Sequence, residues 1–245
     1  MTELSKAELK RQAREEELVD LAIDIIDEFG FAGFTLEKLT ARSSYSKGTV
    51  YNHFISKEDC ISSLCHRAIT SILGLFEKAA SYDGTLREKA LAVHFAYQLY
   101  ARLQPTLFLV ILSSKAPGVR DKTSEKRCRL MDEKEVQINH FSDSMFQLAI
   151  NQGFITNPAI SVETMSFSNW AMSFGTNALM CSAEEAVAVS RLNPATVLLN
   201  NINILLDGMG WQPLSSEFDY HKTWQTLETE FFAEEIQQLK QKSKR

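Results

Sequence analysis

At 245 residues, with 44% hydrophobic and 23% charged side chains, the chain has room for one small and one medium globular domain and lacks the bias of a disordered or fibrous protein. Ten glycines and five prolines argue against a turn-rich β architecture, and a net charge of −5 excludes a nucleic-acid binder that works through bulk positive charge. Met1-Thr2-Glu3-Leu4 opens no apolar signal region, so a cytoplasmic setting is expected.

The first predicted element is an amphipathic helix. Leu18, Leu21, Ala22, Ile25, Ile26 and Phe29 recur at three-and-four spacing, and Gly30 supplies the C-terminal stop. Thr35 is an N-cap for a short second helix with Leu36 and Leu39 turned inward, and Ser46 is an N-cap for a third. Three short helices in some forty residues suggest a helix-turn-helix unit.

On the third helix, Val50 and Phe54 share an inward edge, while Gly48 and Asn52 lie opposite, flanked by Thr49, Tyr51 and His53. Glycine costs a helix about 1 kcal/mol against alanine, so a compensating gain is expected; close approach of a partner to the backbone is one. A short polar helix of this kind is what a DNA major groove admits. Ser56-Lys57-Glu58-Asp59 then starts a fourth helix whose first amides, with Lys57 beside them, could clamp a phosphate.

Charge is distributed unevenly. Residues 1–67 hold nine basic and twelve acidic side chains, yet from Thr35 to Lys57 the cations Lys38, Arg42, Lys47 and Lys57 oppose only Glu37. Exposed charges act over a Debye length of about 8 Å, so the local excess outweighs the total. The acidic first helix is expected to face away.

From Cys60 the helical pattern continues through Leu64, Ala68, Ile72, Leu75 and Phe76 to Asp83-Gly84, a connector long enough to transmit a tilt. Further helices are read near Thr85–Leu103, Pro105–Ser114, Lys122–Gln152, Ile160–Cys181, Pro194–Asp207 and Ser216–Lys242, separated by proline and glycine breaks. Within them His94, Tyr97, Phe108, Met131, Phe141 and Met145 offer a mixed apolar and polar lining for a small-molecule pocket, although core packing is the simpler role for each. The helix from Ile160 carries apolar residues on two sides, Phe167, Trp170, Phe174 and Ala178 on one and Met165, Met172 and Leu179 on the other. It therefore needs cover on both, and an isologous contact shared with Leu198, Ile202 and Leu205 would supply it. Only Glu163 is charged between Ile160 and Cys181, but the Ser, Thr and Asn content there argues against lipid. The basic end from Lys240 to Arg245 reads as a solvated tail.

Cys60, Cys65, Cys128 and Cys181 lack the paired spacing of a zinc site and are expected to be plain thiols, with no metal and no cofactor. Nor is there a Gly-x-Ser-x-Gly, Gly-x-Gly-x-x-Gly, phosphate-loop or His-Glu-x-x-His arrangement, so an enzyme is the weakest reading.

The run Ser46-Lys47-Gly48-Thr49-Val50-Tyr51-Asn52-His53-Phe54 with Ser56-Lys57-Glu58, preceded by Phe29-Gly30-Phe31, Phe34-Thr35-Leu36 and Leu39, resembles the N-terminal domain of the TetR family of transcriptional regulators. The resemblance implies an all-α chain, with a helix-turn-helix DNA-binding domain over residues 1–58 (core about 14–58) and a larger helical effector-binding and dimerisation domain over 59–245. It implies a homodimer on a palindromic double-stranded operator, read here as a repressor released by a small-molecule effector. A DNA-binding structural or partner-recruiting protein with no effector is the alternative. Carried over position by position, Thr35 and Lys57 become phosphate contacts, Tyr51 and His53 lie near the DNA backbone, and Ser46, Lys47, Thr49 and Asn52 face base edges or adjacent phosphates, around Gly48. The chain departs from the family in the turn, where Ser43-Ser44-Tyr45 replaces the common alanine-glycine-valine, and at Thr40, where alanine is common.

Overall fold

A computed structural model describes residues 5–156 and 158–242, and every regular element among them is helical. Met1–Leu4, where a signal region was sought, and residues 243–245 of the expected tail lie outside the described residues. No helix of the described residues is long and apolar enough to cross a membrane.

The first helix, α1 (Lys6–Gly33), starts well before the apolar periodicity does. Its first turns bury nothing, and the start is set instead by a capping box in which the Ser5 hydroxyl accepts from the Glu8 amide and the Glu8 carboxylate accepts from the Ser5 amide. Gly30, at φ 71°, breaks the helical backbone where the sequence placed the stop. Because the chain turns there, Phe29 is not inward as expected but exposed, with the Lys38 ammonium 4.1 Å from its ring centre. Helices α2 (Leu36–Arg42) and α3 (Lys47–His53) follow, capped by the hydroxyls of Thr35 and Ser46 as anticipated. Leu18, Ala22, Ile25, Phe34, Leu39, Val50 and Phe54 are fully buried between the three.

The chain then divides into two compact units, but not at residue 58. One comprises residues up to Ile69 together with Leu109–Lys134; the other comprises Thr70–Phe108 and Glu135–Arg245. The expected boundary thus falls inside the N-terminal unit, which recruits a distant segment. The helices α4 (Lys57–Ala80), α6 (Pro105–Ser113) and α7 (Glu125–Asn151) each run through a division point.

In the C-terminal unit, α5 (Leu86–Leu103) is the central helix, in contact with α8 (Val162–Ser182), α10 (Val197–Gly208), α11 (Tyr220–Thr226) and α12 (Ala233–Lys242). A four-residue helix, α9 (Val187–Ser190), lies between α8 and α10. A π-helical turn at Leu227–Phe231 interrupts what the sequence suggested was one helix to Lys242. The aromatic core is built on Phe95, which meets Trp224 edge-on at 5.0 Å and stacks on Phe232 at 5.5 Å. At the start of α5 the fully buried Arg87 guanidinium donates to the Pro213 carbonyl (2.8 Å), Asn203 Oδ1 (3.1 Å) and the Asp207 carboxylate (2.6 Å), and lies over the Tyr220 ring. A cation so placed is tolerated because its charge and most of its donors are matched.

The polarity of α8 is inverted. Its buried side carries Ser166, Asn169, Ser173, Thr176 and Asn177, while Phe167 and Trp170 are 62% and 41% exposed and Met172 and Leu179 are also exposed. Leu198 and Ile202 have no exposed surface at all. They fill the interior of the C-terminal unit and cannot take part in the intermolecular contact expected of them, whereas Leu205 is partly exposed and Ile204 is exposed.

On the α5 side of this polar stripe, His94 Nε2 lies 3.0 Å from Asn169 Oδ1. The Asn169 amide nitrogen is already spent on the Met165 carbonyl, so the imidazole is the donor and is neutral. Burial lowers its pKa to about 4, against the opposing effect of the Asn169 bond. An unfolded histidine titrates near 6.5, so the unfolded chain binds the extra proton first as pH falls. Stability should therefore decline between about pH 6.5 and 4, by roughly 1–3 kcal/mol from this group. Denaturant titrations across that range check this; His94→Gln should flatten the profile.

Candidate nucleic-acid interface

The caps that start α2 and α3 are themselves sequence-predicted site residues. Thr35 Oγ1 accepts from the Lys38 amide (3.2 Å) and Ser46 Oγ from the Thr49 amide (3.2 Å), which fixes the starts of α2 and α3. The unusual turn is accommodated by side-chain bonds: Ser43 Oγ donates to the Thr40 carbonyl (3.1 Å) and accepts from the Tyr45 amide (3.3 Å), and the Tyr45 hydroxyl reaches the Glu17 carboxylate on α1. Thr40 bonds back to the Leu36 carbonyl (2.8 Å).

The outward edge of α3 is formed by Ser46, Lys47, Gly48 and Asn52, all exposed, with Thr49 and Tyr51 partly so. A Cβ placed on Gly48 would meet only Ser46 Oγ, at 3.9 Å. The glycine is thus not demanded by packing within the unit and leaves a gap in the side-chain layer facing outward. Tyr51 is held by a 2.9 Å bond from its hydroxyl to Glu37, and Lys47 Nζ lies 5.3 Å from the Tyr51 ring centre.

Two of the expected contacts are placed differently. His53 is 6% exposed, with Nδ1 turned to Glu15 at 3.4 Å; burial lowers its pKa more than the Glu15 contact raises it, leaving it neutral near pH 7. It is an anchor of α3, with no face presented to a phosphate. The Lys57 ammonium donates to the Phe31 carbonyl at 2.6 Å and is partly buried. At the start of α4, Ser56 Oγ accepts from the Asp59 amide, as its cap role predicts, but donates to the Lys122 carbonyl. The Asp59 carboxylate, almost wholly buried, accepts from the Ile55 amide and from the Ser124 amide and hydroxyl.

The residue that sequence reasoning missed is Arg127. Its guanidinium donates to Glu15 Oε1 (2.8 Å) and to the His53 carbonyl (3.0 Å), lies 3.4 Å from Asp59 and covers the Phe54 ring at 4.9 Å. Burial would raise the pKa of Glu15, but Arg127 and His53 hold it below the usual range. No local pattern points to this arginine, because its partners lie 68 to 112 positions away in the sequence.

Three of the six residues proposed for a pocket are held in ring contacts. Tyr97 meets Phe108 at 5.0 Å and Phe76 at 5.8 Å, and Phe141 meets Phe76 at 5.5 Å, so these rings pack on one another. Met131 is buried and belongs to the N-terminal unit, and Met145 belongs to the other. None of the six lines the 910 Å³ cavity of the C-terminal unit, whose wall includes Phe95, Gln98, Asn177 and Trp224. Among the described residues no cluster of His, Cys, Asp and Glu could hold a metal ion, and burial pushes the Cys60 and Cys181 thiols up, away from reactivity.

A capped helix-turn-helix with an exposed polar second helix, where every other regular element of the described residues is also helical, has the shape that a DNA major groove admits. Residues 18–64 match the family described as bacterial regulatory proteins, tetR family. That match spans 47 of the 245 residues, all of them in the N-terminal unit. It is similar, at 28% identity over 103 residues, to the uncharacterized HTH-type transcriptional regulator YwcC of Bacillus subtilis (strain 168), a match that covers 40% of this chain and only 45% of that relative. The fold is similar to that of a tetR-family regulatory protein from Rhodococcus RHA1 (TM-score 0.63, 14% identity, 85% of this chain and 99% of that one). It is also similar to the regulator FadR from Bacillus subtilis in complex with stearoyl-CoA (TM-score 0.62, 16% identity, 79% of this chain and 98% of that one).

Replacing Arg127 by leucine strips Asp59 and the His53 carbonyl of a buried partner, a change that costs about 3–5 kcal/mol in comparable ion pairs. Urea unfolding should register a loss of that order. Arg127→Lys should recover little of it, because a point charge cannot reach a carboxylate, a carbonyl and a ring at once.

Proposed function

We propose that this chain is a homodimeric repressor that occupies a palindromic operator through α3 and leaves it when a small molecule binds the C-terminal unit. The observation that carries the DNA reading is the outward edge of α3, a polar surface of Ser46, Lys47, Gly48 and Asn52 with no packing role in its own unit. Thr49 and Asn52 are assigned to base edges and Ser46 and Lys47 to base edges or adjacent phosphates, with Gly48 allowing the backbone to approach. Thr35 and Tyr51 are assigned to phosphates flanking them. Lys57 keeps a phosphate role only as a shared donor, since one of its hydrogens is spent on Phe31.

Support for the dimer comes from the inverted polarity of α8. A helix that turns Phe167, Trp170, Met172 and Leu179 to solvent and buries serines and asparagines leaves an apolar patch that monomers rarely expose. A second copy across a two-fold axis would cover it and could set two recognition helices about one DNA turn apart. The 910 Å³ cavity favours an effector-responsive protein over one with a closed core. The stearoyl-CoA held by the FadR neighbour makes an amphipathic effector a natural class to test.

The DNA assignment is tested with duplexes selected from genomic fragments. Lys47→Ala should weaken all sequences alike and reduce the salt slope by about one charge. Asn52→Ala or Thr49→Val should instead change preference at one position, by about 1–3 kcal/mol. Operator binding left intact by all three would refute the assignment.

For the dimer, the double change Phe167→Glu with Trp170→Glu should give a monomer by sedimentation velocity, together with loss of operator binding. A variant that still sediments as a dimer would place the interface elsewhere.

A further inference from the structure

The cavity of the C-terminal unit has a polarity of its own. Its volume, 910 Å³, lies within the roughly 300–1,000 Å³ of small-molecule sites. The inner wall is apolar and aromatic: Phe95 and Trp224 meet edge-on there, with Val189 and Leu239 also buried. Into that wall is set Asn177, 2% exposed, whose amide nitrogen has no hydrogen-bond partner. An orphaned buried donor costs about 1–3 kcal/mol, and an acceptor on an occupant would satisfy it. The rim carries Glu184, Glu185 and Glu228 against the single cation Arg102, all exposed. None of the three glutamates takes part in an ion pair among the described residues. They are not gathered closely enough for a metal ion, so the charge they call for is diffuse.

We propose that this cavity binds a hydrophobic organic cation carrying a hydrogen-bond acceptor: the apolar body against Phe95 and Trp224, the acceptor on Asn177, and the cationic end among the three rim glutamates. The three carboxylates attract that cation, whereas a fatty carboxylate would meet three like charges and one opposite. This rests on the effector reading above and narrows it to a class opposite in charge to an acyl-CoA.

The test uses the full chain and three probes with one acyl chain: lauroylcholine, laurate and monolaurin, below their micelle concentrations. They are titrated by calorimetry and, in a separate arm, added to the operator complex. Lauroylcholine is expected to bind at least about tenfold more tightly than laurate, as a few partly screened charge contacts allow, with monolaurin between them. The triple variant Glu184→Gln, Glu185→Gln, Glu228→Gln, changed only at exposed positions, should erase that preference. Asn177→Leu should weaken lauroylcholine and monolaurin alike, since both carry the ester acceptor. Laurate binding as tightly as the cation, or a cation preference that survives the triple variant, overturns the proposal. Cation binding that leaves the operator complex intact would sink the repressor-release reading while the site assignment stands; release by some other compound, with no cation binding, would do the reverse.

Discussion

The N-terminal unit depends on one guanidinium. Arg127 ties Glu15 of α1 to the carbonyl that ends α3, and lies against Asp59 and the Phe54 ring where α4 begins. Helices as short as α2 and α3, seven residues each, are not stable alone. They persist because Leu39, Val50 and Phe54 are buried against α1 and because the last turn of α3 is fastened at its C-terminal end. A cation there also suits the helix dipole, since the free carbonyls of a helix end carry partial negative charge. Buried ion pairs of this sort add little net stability over an apolar equivalent, but they punish misplacement of any member. What the arrangement fixes is the position of α3, the property a DNA reader needs most.

In the C-terminal unit the constraint is of the opposite kind. Arg87 is matched by Asp207, Asn203 and two carbonyls, but the polar stripe of α8 is not fully matched: Ser166 Oγ, Ser173 Oγ and Asn177 Nδ2 have no partner. Buried polar atoms of this kind commonly bind ordered water or a ligand. With α5 and α10 packed against α8 and its polar face inward, Phe167 and Trp170 have nowhere to go but the surface, and the patch they form follows from the helix's phase.

The sequence was most legible where structure is local. Caps at Thr35 and Ser46, the stop at Gly30 and most helix boundaries follow from a few adjacent residues, and the structure places them within a few positions. It was least legible where partners are distant. That Leu109–Lys134 belongs with the N-terminal unit rests on contacts such as Ser124 to Asp59 and Arg127 to Glu15, which no periodicity encodes. The family resemblance puts His53 near the DNA backbone, and only its contacts with Glu15 and Arg127 show why it is enclosed. Apolar residues alone give α8 two stripes; the serines and asparagines between them decide which side faces in. The cavity is not encoded locally, because its wall draws on α5, α8, α11 and α12, from positions more than a hundred residues apart.

The net charge of −5 is reconciled with the DNA-facing surface proposed for α3 by where the acids are spent. Glu16 and Asp20 pair with Arg67, Glu15 with Arg127, Glu28 with Arg42, and Glu17 accepts from Tyr45. Four of the five carboxylates of α1 named here are thus neutralised inside the unit by cations that would otherwise add to its positive field, so neither sign projects far. Lys47, at the start of α3, stands outside this exchange, exposed beside the Tyr51 ring. Since screening limits exposed charges to roughly 8 Å, a phosphate placed at α3 as proposed would feel that ammonium more than the distant charges of the chain. Placement of a few charges, set by which carboxylates the fold has already satisfied, therefore counts for more than their sum.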